Sequence, residues 1–118
     1  MYRRINNMTR NSCLAAQAVM ALTFRQRLAG LIGRPGLAAG EALILEPCRS
    51  VHMFFMRFPL DIIYLDRSGT VLRSVPGLAP GRIGPYIHGA HTVIELPVGT
   101  IESTGTKTGD RIVLLPTD

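Results

Sequence analysis

From residue 42 onward the chain is cut into short apolar runs by turn-forming residues, and this punctuation limits it to a β-rich fold. The runs cover 42–45, 51–56, 60–65, 71–75, 93–96 and 111–115. Each is strand-length, and most are rich in Val, Ile, Leu or Phe. Asp66-Arg67-Ser68-Gly69 separates two of them and reads as a hairpin turn, with Gly69 able to take positive φ. Residues 76–90, PGLAPGRIGPYIHGA, contain three prolines and four glycines and form a long surface loop. Thr108-Gly109-Asp110 is a turn into the last run, and Asp110 is expected to close it by accepting backbone amides.

The first forty residues read differently. Residues 1–12 are basic and polar and are expected to be a flexible tail, leaving 13–118 as one globular domain. Residues 13–22, CLAAQAVMAL, suit either a helix or a buried strand. Thr23 as N-cap with Gln26 three residues on, then Leu28, Leu31 and Ile32 on one face, predict a short helix that ends before Gly33-Arg34-Pro35-Gly36. Thr100 to Ser103 predicts a second helical turn, capped by Thr100 and closed by Gly105. The expected fold is α+β and mostly β: a small curved sheet or partly open barrel with one or two short helices.

The 118 residues suffice for a single core, and the 47% apolar content excludes a disordered chain. With 6% aromatics and no Trp, aliphatic side chains must fill that core. The net charge of +5 is uneven. Residues 1–40 carry six arginines and no acid, whereas the rest is nearly neutral. Such a segment suits an anionic surface, nucleic acid or membrane, although the arginines are not clustered with stacking aromatics and nucleic acid is not the expected partner. Cys13 and Cys48 form no disulfide framework and no zinc signature. Residues 1–21 weakly resemble a secretion signal, but Gln17 interrupts a short apolar run that cannot span a bilayer, so a cytoplasmic location is expected.

Four blocks taken together carry a family resemblance: VHMFFMRFPLDIIYLD (51–66), GLIGRPGL (30–37), IELPVGT (94–100) and GDRI (109–112). Their order and spacing resemble domain of unknown function family 192 across roughly residues 14–115. The resemblance implies a compact, mostly β fold with an arginine-bearing helix near the start and residues 14–22 as the first strand. It implies no biochemical activity. Many members have Trp before the central Met and Asn after the basic residue, where this chain has Phe55 and Phe58.

The unusual polar residues concentrate around the Pro59 bend. Arg57 and Asp61 are placed to pair across it, which would lock the turn. Alternatively Arg57, with Arg27 or Arg34, faces a pocket and binds an anionic group, since guanidinium suits carboxylate and phosphate. Glu95 stands alone in an apolar run and needs a partner if buried, with Arg27 the expected one. The candidate ligand-binding set is therefore His52, Arg57, Asp61, Arg27 and Glu95, roofed by the 76–90 loop and holding a small anionic ligand or peptide. No residue is firmly catalytic. His52 and Cys48 are weak candidates, and a hydrolase using His52 with Cys48 or Asp61 is the alternative function. His52, His88 and His91 match no standard metal-ligand spacing, so neither metal nor cofactor is expected.

Overall fold

A computed structural model describes residues 2–21, 35–54 and 56–117. The predicted helix at 23–33, with Arg27 and Arg34, lies outside the described residues. Seven strands form one sheet: β1 (Tyr2–Asn7), β2 (Ser12–Ala21), β3 (Glu41–Leu45), β4 (Leu60–Leu65), β5 (Val71–Leu78), β6 (Thr92–Leu96) and β7 (Ile112–Pro116). The order across the sheet is β5-β4-β6-β3-β2-β1-β7. Neighbours are antiparallel except β2 and β3. A parallel pair needs a long connection, and residues 22–40 separate these two strands in sequence.

The sheet curls until its two outer strands meet at one end. The Val71 amide donates to the Asp110 carbonyl and the Ile112 amide to the Gly69 carbonyl, both at 2.8 Å. Beyond those residues β5 and β7 diverge, so the sheet stays open. Mostly β, curved and partly open is the architecture the strand pattern implied.

Strand alternation sorts the core onto two faces. The inner face carries Ile5, Leu14, Ala18, Ile44, Ile63, Leu65, Ile94 and Ile112. The outer face of the central strands carries Leu43, Leu45, Leu60, Ile62, Tyr64 and Val93, over which Val51, Met53 and Ala90 pack. Every residue of β4 and β6 is therefore buried. Two-sided burial explains why both read as nearly unbroken apolar runs rather than alternating ones.

Three expectations are corrected. Residues 1–12 are not a tail, because Tyr2–Asn7 is a strand held between β2 and β7. Only Ile5 is an apolar residue turned inward there, so YRRINN shows almost no hydrophobic period. The fully buried Asn7 takes the next inward position, its amide donating to Thr106 Oγ1 at 3.1 Å and Asp110 Oδ2 at 3.0 Å. Of residues 14–22, expected as the first strand, 14–21 accordingly belong to the second. Finally, none of the described residues of 51–56 belongs to a strand. Val51 and Met53 pack on the outer face, and among the described residues of this stretch only His52 forms an isolated bridge, to Ile83. The Met53 amide donates to the Arg82 carbonyl at 2.8 Å, which pins this stretch to the next loop.

The second helical turn is present as α1 (Thr100–Thr104), closed by Gly105 at φ 68°. Its N-cap is Gly99, and Thr100 is already the first helical residue. Asp110 closes its turn as expected, accepting the Lys107 amide at 2.9 Å, and also holds Arg10 Nε at 3.0 Å. Burial opposes its charge, but the bonds from Arg10, Asn7 and the Lys107 amide win and hold the carboxyl below its usual range.

Candidate functional site

The residues expected at the bend do not converge. In the β4–β6 ladder Asp61 faces Leu96 and Ile62 faces Glu95, so the two carboxylates lie on opposite faces of the sheet. Asp61 is buried on the inner side and has a structural task. Its Oδ1 accepts the Gly77 amide at 2.9 Å, while Oδ2 accepts the amides of Gly99 at 3.1 Å and Ile101 at 2.9 Å. Glu95 is buried on the outer side. Arg57 is exposed in the loop before β4. The His52 ring stacks on Phe54 with centroids 4.9 Å apart, and its buried Nδ1 has no hydrogen-bond partner among the described residues. Cys48 Sγ donates instead to the Ser50 carbonyl at 3.0 Å, so that nitrogen receives no Cys48–His52 hydrogen bond. Arg27, the expected partner of Glu95, lies outside the described residues.

A different constellation is assembled. Residues 47–50, the 66–68 hairpin turn and 86–91 line an open cleft of about 880 Å³. Backbone bonds fix its walls. The Cys48 amide donates to the His91 carbonyl at 2.9 Å, Ile87 to Arg49 at 2.9 Å, and His91 to Leu65 at 2.8 Å. From the sheet below, the Tyr64 hydroxyl donates to the Pro85 carbonyl at 2.7 Å, and the Ser50 hydroxyl to Gly84 at 3.3 Å.

The electrostatics of this cleft are basic. Arg49 and Arg67 reach it from separate loops, and His88 and His91 stand on its third wall. Arg49 is steadied by a 3.2 Å bond from Nη1 to the Tyr86 hydroxyl. Asp66, the one carboxylate among the described lining residues, is engaged inside its own turn. Its Oδ1 accepts the Ser68 hydroxyl at 2.7 Å and the amides of Ser68 and Thr70 at 2.9 Å. The Ser68 hydroxyl first, then the amides, hold this carboxyl below its usual range. A second hollow of about 320 Å³ adjoins the cleft, sharing Asp66, Arg67, Ser68 and His91 and ending at Arg111 and β7. Glu46 lies there, its Oε2 accepting the Thr92 hydroxyl at 2.6 Å and its Oε1 standing 4.0 Å from His91 Nε2.

Tyr64 supports the cleft wall and reports on it. Burial pushes the phenol up to about 12, with Cys48 and Glu95 adding to the effect and Arg73 opposing it. An unfolded tyrosine releases its proton near 10, so the group's contribution is intact below that pH. It is expected to fall by about 1.4 kcal/mol per pH unit between 10 and 12. Tyr64→Phe should flatten that alkaline slope and cost about 1 kcal/mol at neutral pH. Urea melts at pH 7, 10 and 11 measure both, and an unchanged alkaline slope in the variant would refute the assignment.

Among the described residues no group of three or more His, Cys, Asp or Glu is placed to hold a metal ion. Cys13 is exposed, Cys48 is buried, and both are free thiols. No helix among the described residues is long and apolar enough to cross a membrane. Of the basic leading segment, Arg10 is bound to Asp110, and Arg3 and Arg4 sit on β1.

A curled, open seven-stranded sheet with a basic cleft over one end defines a class of small single-domain β protein. The chain belongs to family DUF192, described as an uncharacterized ACR, whose model matches residues 5–114. It is 33% identical over 110 residues to a UPF0127 protein of Thermococcus sibiricus, covering 90% of this chain and 71% of that one. A UPF0127 protein of Pyrococcus horikoshii is 34% identical over 111 residues, covering 92% and 96%. The fold is shared with a protein of unknown function from Novosphingobium aromaticivorans, at a TM-score of 0.79 and 21% identity over 94% of this chain and 82% of that one. A Sinorhizobium meliloti protein matches at 0.76 and 21% identity, over 95% and 91%. The family is one of unknown function.

Proposed function

We propose that this domain is a non-catalytic binding module that holds a small anionic ligand or an anionic peptide in the cleft between residues 47–50, 66–68 and 86–91. The site first expected near the 52–61 bend thus moves to the adjacent loops. One observation carries the reading: Arg49 and Arg67 enter the same open cleft from different loops, and its one described carboxylate is already engaged. Guanidinium groups grip carboxylate or phosphate through paired, charge-assisted bonds. Ser50, His88 and His91 line the same space and add polar groups to the site. Residues 1–21 do not act as a cleaved signal in this reading, since cleavage after Ala21 would remove β1 and β2 with Ile5, Leu14 and Ala18 from the core.

Calorimetric titration with inorganic phosphate and with succinate at low ionic strength tests it. The wild-type chain is expected to bind at least one, more weakly as salt rises. Arg49→Gln combined with Arg67→Gln should weaken that binding by roughly tenfold or more, as loss of charged hydrogen bonds implies. A wild-type chain that binds neither anion, or a double variant that binds equally well, would end the proposal.

A further inference from the structure

We infer that the ligand is an extended acidic peptide segment rather than a compact anion; this rests on the anion-binding reading above and goes further. The hairpin turn 66–69 does not close off the cleft. It forms a saddle between two hollows of about 880 and 320 Å³, and Arg67 belongs to both. Arg49 lines only the larger hollow and Arg111 only the smaller, so cations stand on either side of the saddle and on it. The acids beside this path are engaged within the protein: Asp66 with its own turn, Glu46 with Thr92 and His91. A compact phosphate or carboxylate stays within the larger hollow, between Arg49 and Arg67. A chain bearing several carboxylates meets all three arginines, and each contact raises the effective concentration of the next.

The lining favours a peptide over a nucleic-acid strand. Single-stranded nucleic acid is held by stacking its bases on aromatic side chains. Tyr86 is the only Phe, Tyr or Trp among the described lining residues of either hollow, beside the imidazoles of His88 and His91, and its hydroxyl is tied to Arg49. The smaller hollow instead ends on aliphatic Val113 and Leu114 of β7. Because β7 is the last strand of the sheet, an extended backbone arriving there beyond Ile112 meets a strand edge with which it can pair.

Fluorescence anisotropy on the full chain tests the inference, using labelled oligoglutamates of about three and about nine residues. At roughly 3.3 Å per residue the longer one spans about 30 Å, comparable with the molecule's extents of 34 × 32 × 26 Å. The longer peptide is expected to bind about tenfold tighter than the shorter. Arg111→Gln should remove most of that gain while leaving phosphate binding unchanged. Arg82→Gln, which lines neither hollow, should leave both unchanged. Phosphate binding without a length effect, or equal losses from Arg111→Gln and Arg82→Gln, would overturn the extended ligand and leave the anion site standing. Tighter binding of an oligothymidylate of equal length would overturn the peptide. Failure of every probe, phosphate included, would remove the anion site itself.

Discussion

Replacing Asp61 with alanine is expected to destabilise the fold by about 3–5 kcal/mol, because three backbone amides lose their shared, buried acceptor together. The carboxylate joins Gly77 on β5 to Gly99 and Ile101 at the start of α1. A helix of five residues has no stability of its own and depends on such tethers. Asp61 is 1% exposed, so water has poor access to replace the missing acceptor. Asp61→Asn should recover part of the loss, since an amide oxygen still accepts while its NH2 group faces donors. For a domain of this size each kcal/mol moves Tm by about 4–8 °C, so the alanine variant should melt more than about 12 °C lower. A loss under about 1 kcal/mol in urea melts would mean that the three amides find other partners.

Gly69→Ala should be nearly as damaging, at about 3–4 kcal/mol. Gly69 has φ 90°, and a Cβ built there would run into the backbone carbonyl oxygen of Ile112. That oxygen cannot swing away as a side chain would. The Ile112 amide is bonded to Gly69, and Ile112 begins the strand that completes the sheet. The control is Gly40→Ala. Gly40 has φ 88°, but a Cβ there meets nothing within 4 Å, so only the conformational cost of about 1–2 kcal/mol applies. Equal losses at the two positions would show that the close approach at Ile112 is not what demands glycine. Because Gly69 ends the turn that carries Arg67, a variant that still folds should also bind phosphate more weakly.

The parts of the fold legible in the sequence are those whose information is local. β4, the first five residues of β5 and their turn are encoded in contiguous residues, Leu60 to Val75, and can be read there. So can the curled open sheet, through its short runs and the blocks that resemble DUF192. β1 was missed because its inward positions are Ile5 and Asn7, and a buried asparagine reads as surface until its partners Thr106 and Asp110, a hundred residues away, are seen. Asp61 and Glu95, both in the expected ligand-binding set, are buried, but register does not group them. With Ile62 opposite Glu95, a one-residue offset puts Asp61 on the other face. The cleft left the weakest trace. Arg49, Arg67 and His88 come from loops some twenty residues apart, with no periodicity to join them. Only the turn at 66–69 and the Gly/Pro-rich stretch 76–90 mark its walls, and of that stretch, expected to be all loop, 76–78 are the end of β5.

The most direct test of the basic cleft is an amide chemical-shift titration of the 15N-labelled chain with inorganic phosphate at low ionic strength. Shifts are expected to saturate together at Arg49, Ser50, Arg67, Ser68 and His88, with Asp61 and Glu95 unmoved. Shifts gathered instead along residues 52–61, or none that saturate, would contradict it.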